Sequence, residues 1–476
     1  MKQAHIYRKP SFRAISFAAI ALVCSSLSWL TPSIGHAGTG QVMFKCDGLE
    51  EKSLYSTFGT KMYQANDGWF FRPSDYQTLF ELPQESLNFV SRVNGALNYR
   101  GIHLVVLPML PRAIAGRDFV PNEGMLADFL YDPDFAAQQF DDVIASARQV
   151  GIDAINVDDI LKANPSFDKA NYYFKRDIHW TPEGARLIAQ AVAAHIRSLQ
   201  GDVEHEVEFE TSMEPEPRLH KAKFNGVLNE LCQSKIPSEE VRIYETKQKV
   251  GSLNELLGED DAGGAGEPVH VVGSSYTDEI SVYNFNGFLR EYLKQNVGGF
   301  AVSGGSVDQS IYAWAQNANG ITKKPKYLVW EFPDFGDLRK QTAVMNSSVV
   351  PAIVGDCSDR LMVANKSFGE DEAIELDLPP LTGKPDEYYL RYEFANRALT
   401  GFQLTYSYRE GSVKTVSFNN PPRVSGLSQL YQALPAGRGA GPLHVSLKME
   451  GGARSAGLVK LCRYPDAIFQ PVAKSN

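Results

Sequence analysis

The pattern of apolar residues changes near residue 344, and this change constrains the possible folds more than any other feature of the sequence. Before it, short apolar runs alternate with segments of helical spacing. After it, short alternating strands follow one another between Gly-, Pro- and Asn-rich turns. The first pattern predicts a parallel sheet flanked by helices, and the second predicts an all-β sandwich. We therefore divide the chain into an N-terminal segment, 1–37, an α/β domain, 38–344, and a β-sandwich domain, 345–476.

The boundaries of individual elements follow from the spacing of apolar residues. In the α/β domain we expect strands at Ile102–Pro108, Ile152–Val157, Val269–Val272 and Tyr327–Trp330, and helices at Phe135–Val150, Arg186–Leu199 and Ser281–Val297. In the sandwich we expect strands, with almost no helix, at Leu361–Ala364, Glu387–Glu393, Phe402–Tyr408, Val413–Phe418, Leu443–Leu447 and Leu458–Cys462. The glutamate-rich segment 203–217 is predicted to be a solvated connection, and the segment 258–266 a flexible loop.

The first 37 residues have the layout of a secretory signal peptide rather than of a retained membrane anchor. Four basic residues precede an apolar stretch, Ile15–Leu30, and small residues at Gly35 and Ala37 mark a cleavage site after Ala37. The formal charge is −9 for the whole chain and becomes −13 when this basic segment is removed. Such a charge argues against a nucleic-acid binder that relies on an overall positive field.

Cleavage removes Cys24 and leaves four cysteines, at Cys46, Cys232, Cys357 and Cys462. In an oxidising compartment four thiols predict two disulfides, with three possible pairings. Sequential pairing would staple the two domains independently. We predict no metal site, because no two cysteines have the spacing of a C-x-x-C half-site.

A histidine motif precedes the helix expected at Arg186–Leu199. Asp177 and His179 are two residues apart, so that extended backbone directs both side chains to the same side. Thr181 is suited to cap the helix and Pro182 to begin it. A carboxylate beside an imidazole can fix its tautomer for proton transfer. The alternative is a histidine that serves only capping or packing.

A serine motif follows the strand expected at Val269–Val272. Gly273 makes the turn, and Ser274 and Ser275 then precede an expected helix, so that a serine lies at the carboxyl edge of the sheet. The first N–H groups of such a helix could stabilise an oxyanion. The alternative is an ordinary serine that caps the helix.

Together these motifs resemble a known family. The segments D-x-H-W-T-P-x-G-A at 177–185 and V-V-G-S-S-Y at 271–276 resemble the SGNH-hydrolase-like acetyltransferases of exopolysaccharide biosynthesis. The segments D-G-W-F-F at 67–71 and V-W-E-F-P at 329–333 are similar to further motifs of that family. The resemblance covers essentially the whole chain after the signal peptide, and it implies an α/β SGNH-hydrolase-like domain followed by a β-sandwich carbohydrate-binding module.

The resemblance also implies a function and its residues. It implies a periplasmic enzyme, without a cofactor, that transfers acetyl groups to hydroxyls of mannuronate residues in alginate. Ser275 corresponds to the nucleophile, His179 to the general base and acid, and Asp177 to the residue that orients the histidine. Tyr276 is expected to line the site. The family's disulfide pattern corresponds to Cys46–Cys232 and Cys357–Cys462.

Partners and competing functions follow from the same comparison. The resemblance implies an acetyl donor supplied by a membrane acyltransferase system and contact with other alginate secretion proteins. No nucleic-acid partner is expected. Two other functions remain open: an acetylesterase that acts on the polymer, and a polysaccharide-binding scaffold of the export complex that carries a vestigial triad.

The sandwich domain is locally basic, and this points independently to an anionic polymer such as polymannuronate. Ten basic and three acidic residues lie between Arg391 and Arg463, an excess of +7. Of the ten we predict Arg397, Arg409 and Lys414 as polymer contacts, because these basic residues are crowded together in the sequence, and tyrosines lie near the basic segment as a whole. The alternative is charge scattered around a solvated sandwich.

Overall fold

The computed structural model describes most of the chain after residue 61. The described residues are 42–44, 62–80, 82–120, 131–200, 206–232, 236–249, 266–305, 307–316, 324–333, 343–420, 424, 426–436 and 441–469. The predicted signal peptide, its cleavage site at Ala37 and most of the predicted loop 258–266 lie outside these residues. Among the described helices, none is both long enough and apolar enough to cross a membrane.

The described strands and helices alternate first and then become almost exclusively strands. The strands are β1 (Val42–Phe44), β2 (Met62–Gln64), β3 (Phe70–Phe71), β4 (His103–Pro108), β5 (Asp153–Ala154), β6 (Phe209–Met213), β7 (Arg218–His220), β8 (Glu239–Val241), β9 (Tyr244–Gln248), β10 (Val269–Gly273), β11 (Val297–Ala301), β12 (Tyr327–Phe332), β13 (Met362–Phe368), β14 (Ile374–Asp377), β15 (Tyr388–Phe394), β16 (Gly401–Ser407), β17 (Val413–Asn419), β18 (Gln429–Ala433), β19 (His444–Met449) and β20 (Gly457–Arg463). The helices are α1 (Gln84–Tyr99), α2 (Arg112–Ala115), α3 (Pro133–Gln149), α4 (Val157–Ala163), α5 (Pro182–Gln200), α6 (Lys223–Cys232), α7 (Phe285–Leu293), α8 (Val307–Gln316) and α9 (Ala343–Val354).

The first part of the chain is built on a five-stranded parallel sheet in the order β11-β10-β12-β4-β5. Its central strands β10 and β12 are buried along their whole length, which explains why most of their residues are apolar; the exceptions are His270 and Glu331. Helices α1 and α8 pack on this sheet and α3 packs beside β5. Because all five strands are parallel, the carboxyl ends of β4, β10 and β12 meet at one edge, where ligands bind in sheets of this kind.

The second part of the chain is a sandwich of two four-stranded antiparallel sheets, β13-β20-β15-β18 and β14-β19-β16-β17. Its interior is formed by alternate residues of each strand, among them Tyr392, Leu404 and Leu461, which are all buried. A disulfide joins Cys357 to Cys462, and so ties the segment before β13 to β20. The predicted fold class is therefore confirmed for both parts.

Three expectations about individual elements were wrong. The segment 203–217 is not only a connection, because β6 within it pairs with β9. The helix expected at Ser281–Val297 is limited to α7, because left-handed residues at Asn284 and Lys294 bound it and Val297 begins a strand. The strand expected at Ile152–Val157 is only β5, and Val157 instead begins α4. Strands β14 and β18 were not expected.

A fourth expectation, that helix is almost absent after residue 344, is wrong because α9 extends beyond that residue. This helix begins at Ala343 and continues to Val354, so it spans the predicted domain boundary. It packs against α1 and α8 on one side and against β18 on the other. The helix contains Pro351 and is apolar around most of its circumference, so it has no polar face that would reveal a helical period.

Candidate active site

The turn that carries the predicted nucleophile, residues 273–277 and called the nucleophile turn below, lies at the carboxyl end of β10 and presents one of its two serines outward. Ser274 is buried, whereas Ser275 is partly exposed. The backbone N–H of Ser274 donates to Glu331 Oε2 at 2.6 Å, and its hydroxyl donates to the same oxygen at 3.0 Å. A side chain at Gly273 would collide with Thr277 and Glu331, so this turn requires glycine. The turn therefore holds Ser274 inward and leaves the Ser275 hydroxyl at the surface of the site.

The histidine motif lies opposite this turn, as the sequence predicts. His179 Nε2 is 2.7 Å from Ser275 Oγ, and His179 Nδ1 is 2.7 Å from Asp177 Oδ1. Both residues of the motif are almost fully buried. Helix α5 begins directly after it, and Thr181 caps the helix by accepting the N–H of Gly184 at 3.1 Å. The distances fall within the range that proton transfer between a serine and a base requires.

Aromatic side chains hold the two motifs together. The ring of His179 lies between Tyr276 and Tyr283, with ring centroids 4.8 Å and 5.0 Å away. Tyr276 donates its hydroxyl to the carbonyl of Ile178, and Trp180 Nε1 donates to the carbonyl of Tyr276 at 3.1 Å. These two bonds cross between the nucleophile turn and the histidine motif in opposite directions. They fix the position of one motif relative to the other.

Tyr276 also borders a small cavity of about 40 Å³, which Arg72, Arg112, Tyr173 and Pro333 help to line. The ring itself is buried. Its observed contacts, to His179, Trp180 and Ile178, are within the protein. The contact with substrate that the sequence suggests for Tyr276 stays a prediction.

The electrostatics of the site favour an ionised Asp177 beside a neutral His179. Burial alone would raise the pKa of the Asp177 carboxyl, but hydrogen bonds from His179 and His220 outweigh it and hold the pKa well below its ordinary value. Burial lowers the pKa of His179 below 6.5, and Asp177 opposes this change. At neutral pH the imidazole is therefore neutral, and a neutral imidazole with Nδ1–H on the carboxylate presents Nε2 as a proton acceptor to Ser275.

Glu331 is a second acid next to the nucleophile turn, at the end of β12. Its side chain is fully buried, and burial raises its pKa from 4.5 to about 7, against the hydrogen bonds from Ser274 and Thr277. The sequence marks this residue only as part of a strand end near the site. Its neighbour Trp330 is buried in the core and donates to the carbonyl of Val307 at 3.0 Å.

The helix expected directly after the serines is absent, which removes one source of oxyanion donors. Residues 274–284 form turns, and α7 begins only at Phe285. Within the turn, the N–H of Ser274 is taken by Glu331 and that of Thr277 by the carbonyl of Ser274. No local pattern predicts this, because a serine after a glycine turn usually does begin a helix in an α/β fold.

Two further side chains of the site were missed by sequence reasoning. His220 Nε2 lies 3.1 Å from Asp177 Oδ2, and Tyr283 stacks on the ring of His179. Both reach the site from outside the recognised motifs, so only the tertiary structure reveals them. Among the described residues, no group of three His, Cys, Asp or Glu side chains is arranged as metal ligands would be.

The basic residues of the sandwich are more dispersed than their sequence suggests. Four of those that the structure describes form ion pairs with acidic residues, most of which lie outside the segment 391–463: Arg391 with Asp356 and Glu393, Arg454 with Asp371, Lys460 with Asp356, and Arg463 with Glu387 and Asp466. The local excess of +7 therefore overstates the positive charge, because acidic partners in the turns and short helices outside that segment were not counted.

The three predicted polymer contacts do not form one cluster. Arg397 precedes β16 and Arg409 follows it, so the length of a seven-residue strand, roughly 23 Å, separates them. Lys414 lies on β17 opposite Tyr406 and lines a groove of about 510 Å³. All three side chains are exposed. Their contact with a polymer stays a prediction.

The predicted disulfides have different outcomes. The Cys357–Cys462 bond is present. Cys46 and the side chain of Cys232 lie outside the described residues, so the Cys46–Cys232 pairing stays a prediction.

The fold and the site define an SGNH-hydrolase-like protein, with a serine turn and an Asp-x-His motif facing each other at the carboxyl edge of a parallel sheet. The chain belongs to the family described as "SGNH hydrolase-like domain, acetyltransferase AlgX", whose model matches residues 62–334. This match covers more than half of the chain and includes both motifs.

Individual relatives agree with this assignment. The chain is 29% identical over 331 residues to the alginate biosynthesis protein AlgX of Pseudomonas aeruginosa, covering 67% of this chain and 66% of that protein. It is 27% identical over 279 residues to the "Probable alginate O-acetylase AlgJ" of the same organism, covering 56% of this chain and 68% of that protein. The matches to AlgX relatives thus span slightly less than two thirds of those proteins.

A solved structure supports the fold. The structure of Pseudomonas aeruginosa AlgX superposes with a TM-score of 0.70 and covers 88% of this chain and 100% of the solved chain. The two sequences are 23% identical over this comparison. At this identity the likeness concerns the fold, which extends over both the α/β part and the sandwich.

Proposed function

We propose that the protein is a periplasmic O-acetyltransferase that transfers acetyl groups to hydroxyls of mannuronate residues in alginate. The observation that carries the proposal is the continuous line of hydrogen bonds from Asp177 through His179 to Ser275. This line lies in a domain that matches an acetyltransferase family. The substrate is inferred from the names of the relatives, which concern alginate biosynthesis and alginate O-acetylation.

In the first half of the reaction, Ser275 takes the acetyl group from a donor. His179 Nε2 accepts the hydroxyl proton as Oγ attacks the acetyl carbonyl, and a tetrahedral oxyanion forms. When the oxyanion collapses, the bond from carbon to the leaving group breaks, and His179 returns its proton to that group. The product is an acetyl ester on Ser275 and a neutral imidazole.

In the second half, a hydroxyl of the polymer attacks this ester. His179 takes the proton of the sugar hydroxyl, the new ester bond forms on the sugar, and Ser275 leaves with the proton that His179 gives back. Asp177 stabilises the imidazolium that exists between these transfers. Water can replace the sugar in the same steps, so transfer requires that the polymer reach the acetyl-enzyme before water does.

The backbone N–H of Ser275 is our candidate for stabilising the oxyanion. The neighbouring N–H groups of Ser274 and Tyr276 both donate within the turn, to Glu331 and to the Ser274 hydroxyl. Among the bonds of the described residues, none occupies the N–H of Ser275. A donor fixed in place at the nucleophile contributes to catalysis because it needs no reorganisation as charge develops.

The groove beside Lys414 is our candidate for holding the polymer. It lies between α1 and α9 on one side and β16, β17 and β18 on the other. Arg92, which pairs with Asp386 at 2.7 Å, is a second cation in its lining, and the exposed ring of Phe469 adds aromatic surface. Cationic and aromatic side chains in one groove suit a chain of uronate residues, whose carboxylates and ring faces they would contact. We propose that Arg397 and Arg409 extend this contact surface at the two ends of β16.

The family resemblance adds partners that the fold does not reveal. We propose that a membrane acyltransferase system supplies the acetyl donor and that other alginate secretion proteins hold the enzyme near the exported polymer. Export through a signal peptide cleaved after Ala37 would place the enzyme in the periplasm. N-terminal sequencing of the protein recovered from a periplasmic fraction checks this, with Gly38 expected as the first residue.

The decisive experiment compares two adjacent serines. The purified protein is incubated with a chromogenic acetyl ester, with and without oligomannuronate, and the sugar is analysed by mass spectrometry. We expect acetylated sugar from the wild-type protein and none from Ser275→Ala. Ser274→Ala is the matched control, because it removes a hydroxyl that faces Glu331 rather than the site, and we expect it to retain most activity.

The same assay separates the alternatives. Release of acetate without acetylated sugar, even at high oligomannuronate, would identify an acetylesterase. Binding of oligomannuronate without ester turnover by any variant would identify a polysaccharide-binding scaffold. Equal activity of Ser275→Ala and the wild-type protein would exclude the acetyl-serine route.

A further inference from the structure

Both oxygens of Asp177 are bound by donors, and only one of the oxygens faces His179. Oδ1 accepts the His179 Nδ1–H at 2.7 Å. Oδ2 accepts from His220 Nε2 at 3.1 Å and from the backbone N–H of Lys223 at 2.8 Å. A carboxylate held only at Oδ1 could rotate about its bond to the β-carbon, and His179 would turn with it. The donors on Oδ2 fix the plane of the carboxylate.

His220 is itself held firmly in place. It ends β7, which pairs with β8, and its ring stacks on Phe174 with a centroid distance of 4.0 Å and an interplanar angle of 12°. The side chain is 11% exposed. Since an ionised carboxylate can only accept hydrogen bonds, the proton of a neutral His220 must lie on Nε2. The paired strands β7 and β8 thus place a donor on the side of Asp177 that faces away from the nucleophile.

We propose that His220 is a positioning residue for the reaction: it holds Asp177 in the plane in which the carboxylate orients His179 toward Ser275. This inference rests on the proposed function, because it assigns a role within the same site. His220 contacts neither Ser275 nor the position of the acetyl group, so its effect passes through Asp177. Substituting a residue that orients a catalytic or metal-ligating group through a hydrogen bond commonly lowers activity by 10-fold or more.

The experiment uses three substitutions at position 220 in the full-length protein. His220→Gln places an amide N–H near the position of Nε2, whereas His220→Asn is too short to reach Asp177, and His220→Ala removes the side chain. The assay measures kcat and KM for a chromogenic acetyl ester across pH. His195→Gln is the matched control, because His195 also bonds an aspartate, Asp153 at 2.9 Å, but on α5 and outside the site.

We expect His220→Ala and His220→Asn to lower kcat about 10-fold with little change in KM, since one hydrogen bond to a charged group is lost. His220→Gln should retain a kcat close to that of the wild-type protein, because its amide N–H restores a hydrogen bond to Asp177. His195→Gln should change neither kcat nor KM. If His220→Ala fails to fold, the comparison of the Gln and Asn variants still decides the matter.

Two outcomes would overturn the inference. They are equal kcat in the Gln and Asn variants, and a loss in His195→Gln as large as that in the His220 variants. These failures can be told apart from failure of the proposed function. If Ser275→Ala abolishes turnover while all His220 variants behave as the wild-type protein does, the triad stands and only the role of His220 is wrong.

Discussion

Glu331 Oε2 lies 2.6 Å from the backbone nitrogen of Ser274, although 57 residues separate them in the sequence. The bond joins the end of β12 to the turn after β10, one residue before Ser275. The carboxyl is fully buried, and its contacts are hydrogen bonds from neutral groups of Ser274 and Thr277. A carboxylate buried in this way is penalised for its charge, which is why its pKa rises to about 7.

We predict that Glu331→Gln changes how stability depends on pH. Between pH 4.5 and about 7, Glu331 is protonated in the folded protein and ionised in the unfolded chain. The unfolded chain therefore binds fewer protons, and the stability that Glu331 contributes is present below pH 4.5 and is lost as the pH rises through 7. The difference in pKa corresponds to roughly 3 kcal/mol.

Glutamine keeps an acceptor for the Ser274 N–H and has no charge to lose. Denaturant unfolding of the wild-type protein and of Glu331→Gln at pH 5 and pH 8 measures the effect. As the pH rises, the free energy of unfolding of the variant should increase relative to that of the wild-type protein. A constant difference between the two proteins would contradict the prediction.

The activity should persist into mildly acidic solution. Burial lowers the pKa of His179 below 6.5, so the imidazole remains a base at pH values where an exposed histidine is half protonated. We predict that the acid limb of kcat/KM for an acetyl ester has its midpoint below pH 6.5. An acid limb above pH 6.5 would be inconsistent with a buried His179 as the base.

Asp177→Asn should lower kcat by about three to four orders of magnitude, because it removes the charge that stabilises the imidazolium.

The hydroxyl of Tyr276 should matter for both stability and activity. It donates to the carbonyl of Ile178, which connects the nucleophile turn to the histidine motif. We expect Tyr276→Phe to reduce the free energy of unfolding by about 1–2 kcal/mol, because the variant loses this buried bond. The kcat for an acetyl ester should fall as the two motifs separate.

Tyr312→Phe is the matched control for this variant. Its hydroxyl is also buried but has no hydrogen-bond partner within the described part of the chain. Removing that hydroxyl should leave stability unchanged or increase it. Equal effects of the two substitutions, measured by denaturant unfolding, would show that the bond to Ile178 has no special role.

The sequence predicted those parts of the fold and site that depend on local pattern. Short runs of mostly apolar residues at β4, β10 and β12 identified the central strands, because a strand buried on both faces has few polar positions. Asp177 and His179 were found because they are two residues apart. Thr181 and Pro182 marked the start of α5 because capping depends on a few adjacent residues.

What the sequence could not predict depends on distant contacts. His220 reaches Asp177 across 43 residues from the end of β7, and the paired strands β7 and β8 are short and mostly polar, so no period or motif marks it. The segment 203–217, which precedes His220, is predicted to be a solvated connection because glutamates dominate it, yet β6 within it pairs with β9. The charge excess of the sandwich was overestimated for the same reason. Asp356, which binds both Arg391 and Lys460, lies 35 residues before the first of them.

The disulfide of the sandwich should contribute stability without affecting catalysis. Cys357 and Cys462 are 105 residues apart, and closing a loop of that length in the unfolded chain corresponds to about 5 kcal/mol in the chain-entropy estimate. We predict that the double variant Cys357→Ala, Cys462→Ala unfolds at lower denaturant concentration. Its turnover of a small acetyl ester below the unfolding transition should match that of the wild-type protein. An unchanged unfolding midpoint, or a loss of turnover in the folded variant, would contradict this division between the two parts.

The last prediction concerns two lysines on opposite faces of one sheet. Lys414 lies opposite Tyr406 and faces the groove, whereas Lys448 pairs with Gln403 on the other face. If the groove holds polymannuronate, Lys414→Ala should weaken binding about fivefold, which corresponds to roughly 1 kcal/mol for one charged contact. Lys448→Ala removes the same charge from the same sheet and should leave the affinity unchanged.

Titration calorimetry with oligomannuronate at low and high salt measures both effects. Binding to the wild-type protein should weaken as salt increases, because charges are screened beyond about 8 Å at physiological ionic strength and beyond about 3 Å at 1 M. Turnover of a small acetyl ester should be the same in both lysine variants, since Ser275 and His179 are unchanged. If Lys448→Ala weakens binding as much as Lys414→Ala does, the polymer responds to the net charge of the sandwich and the groove has no special part in holding it.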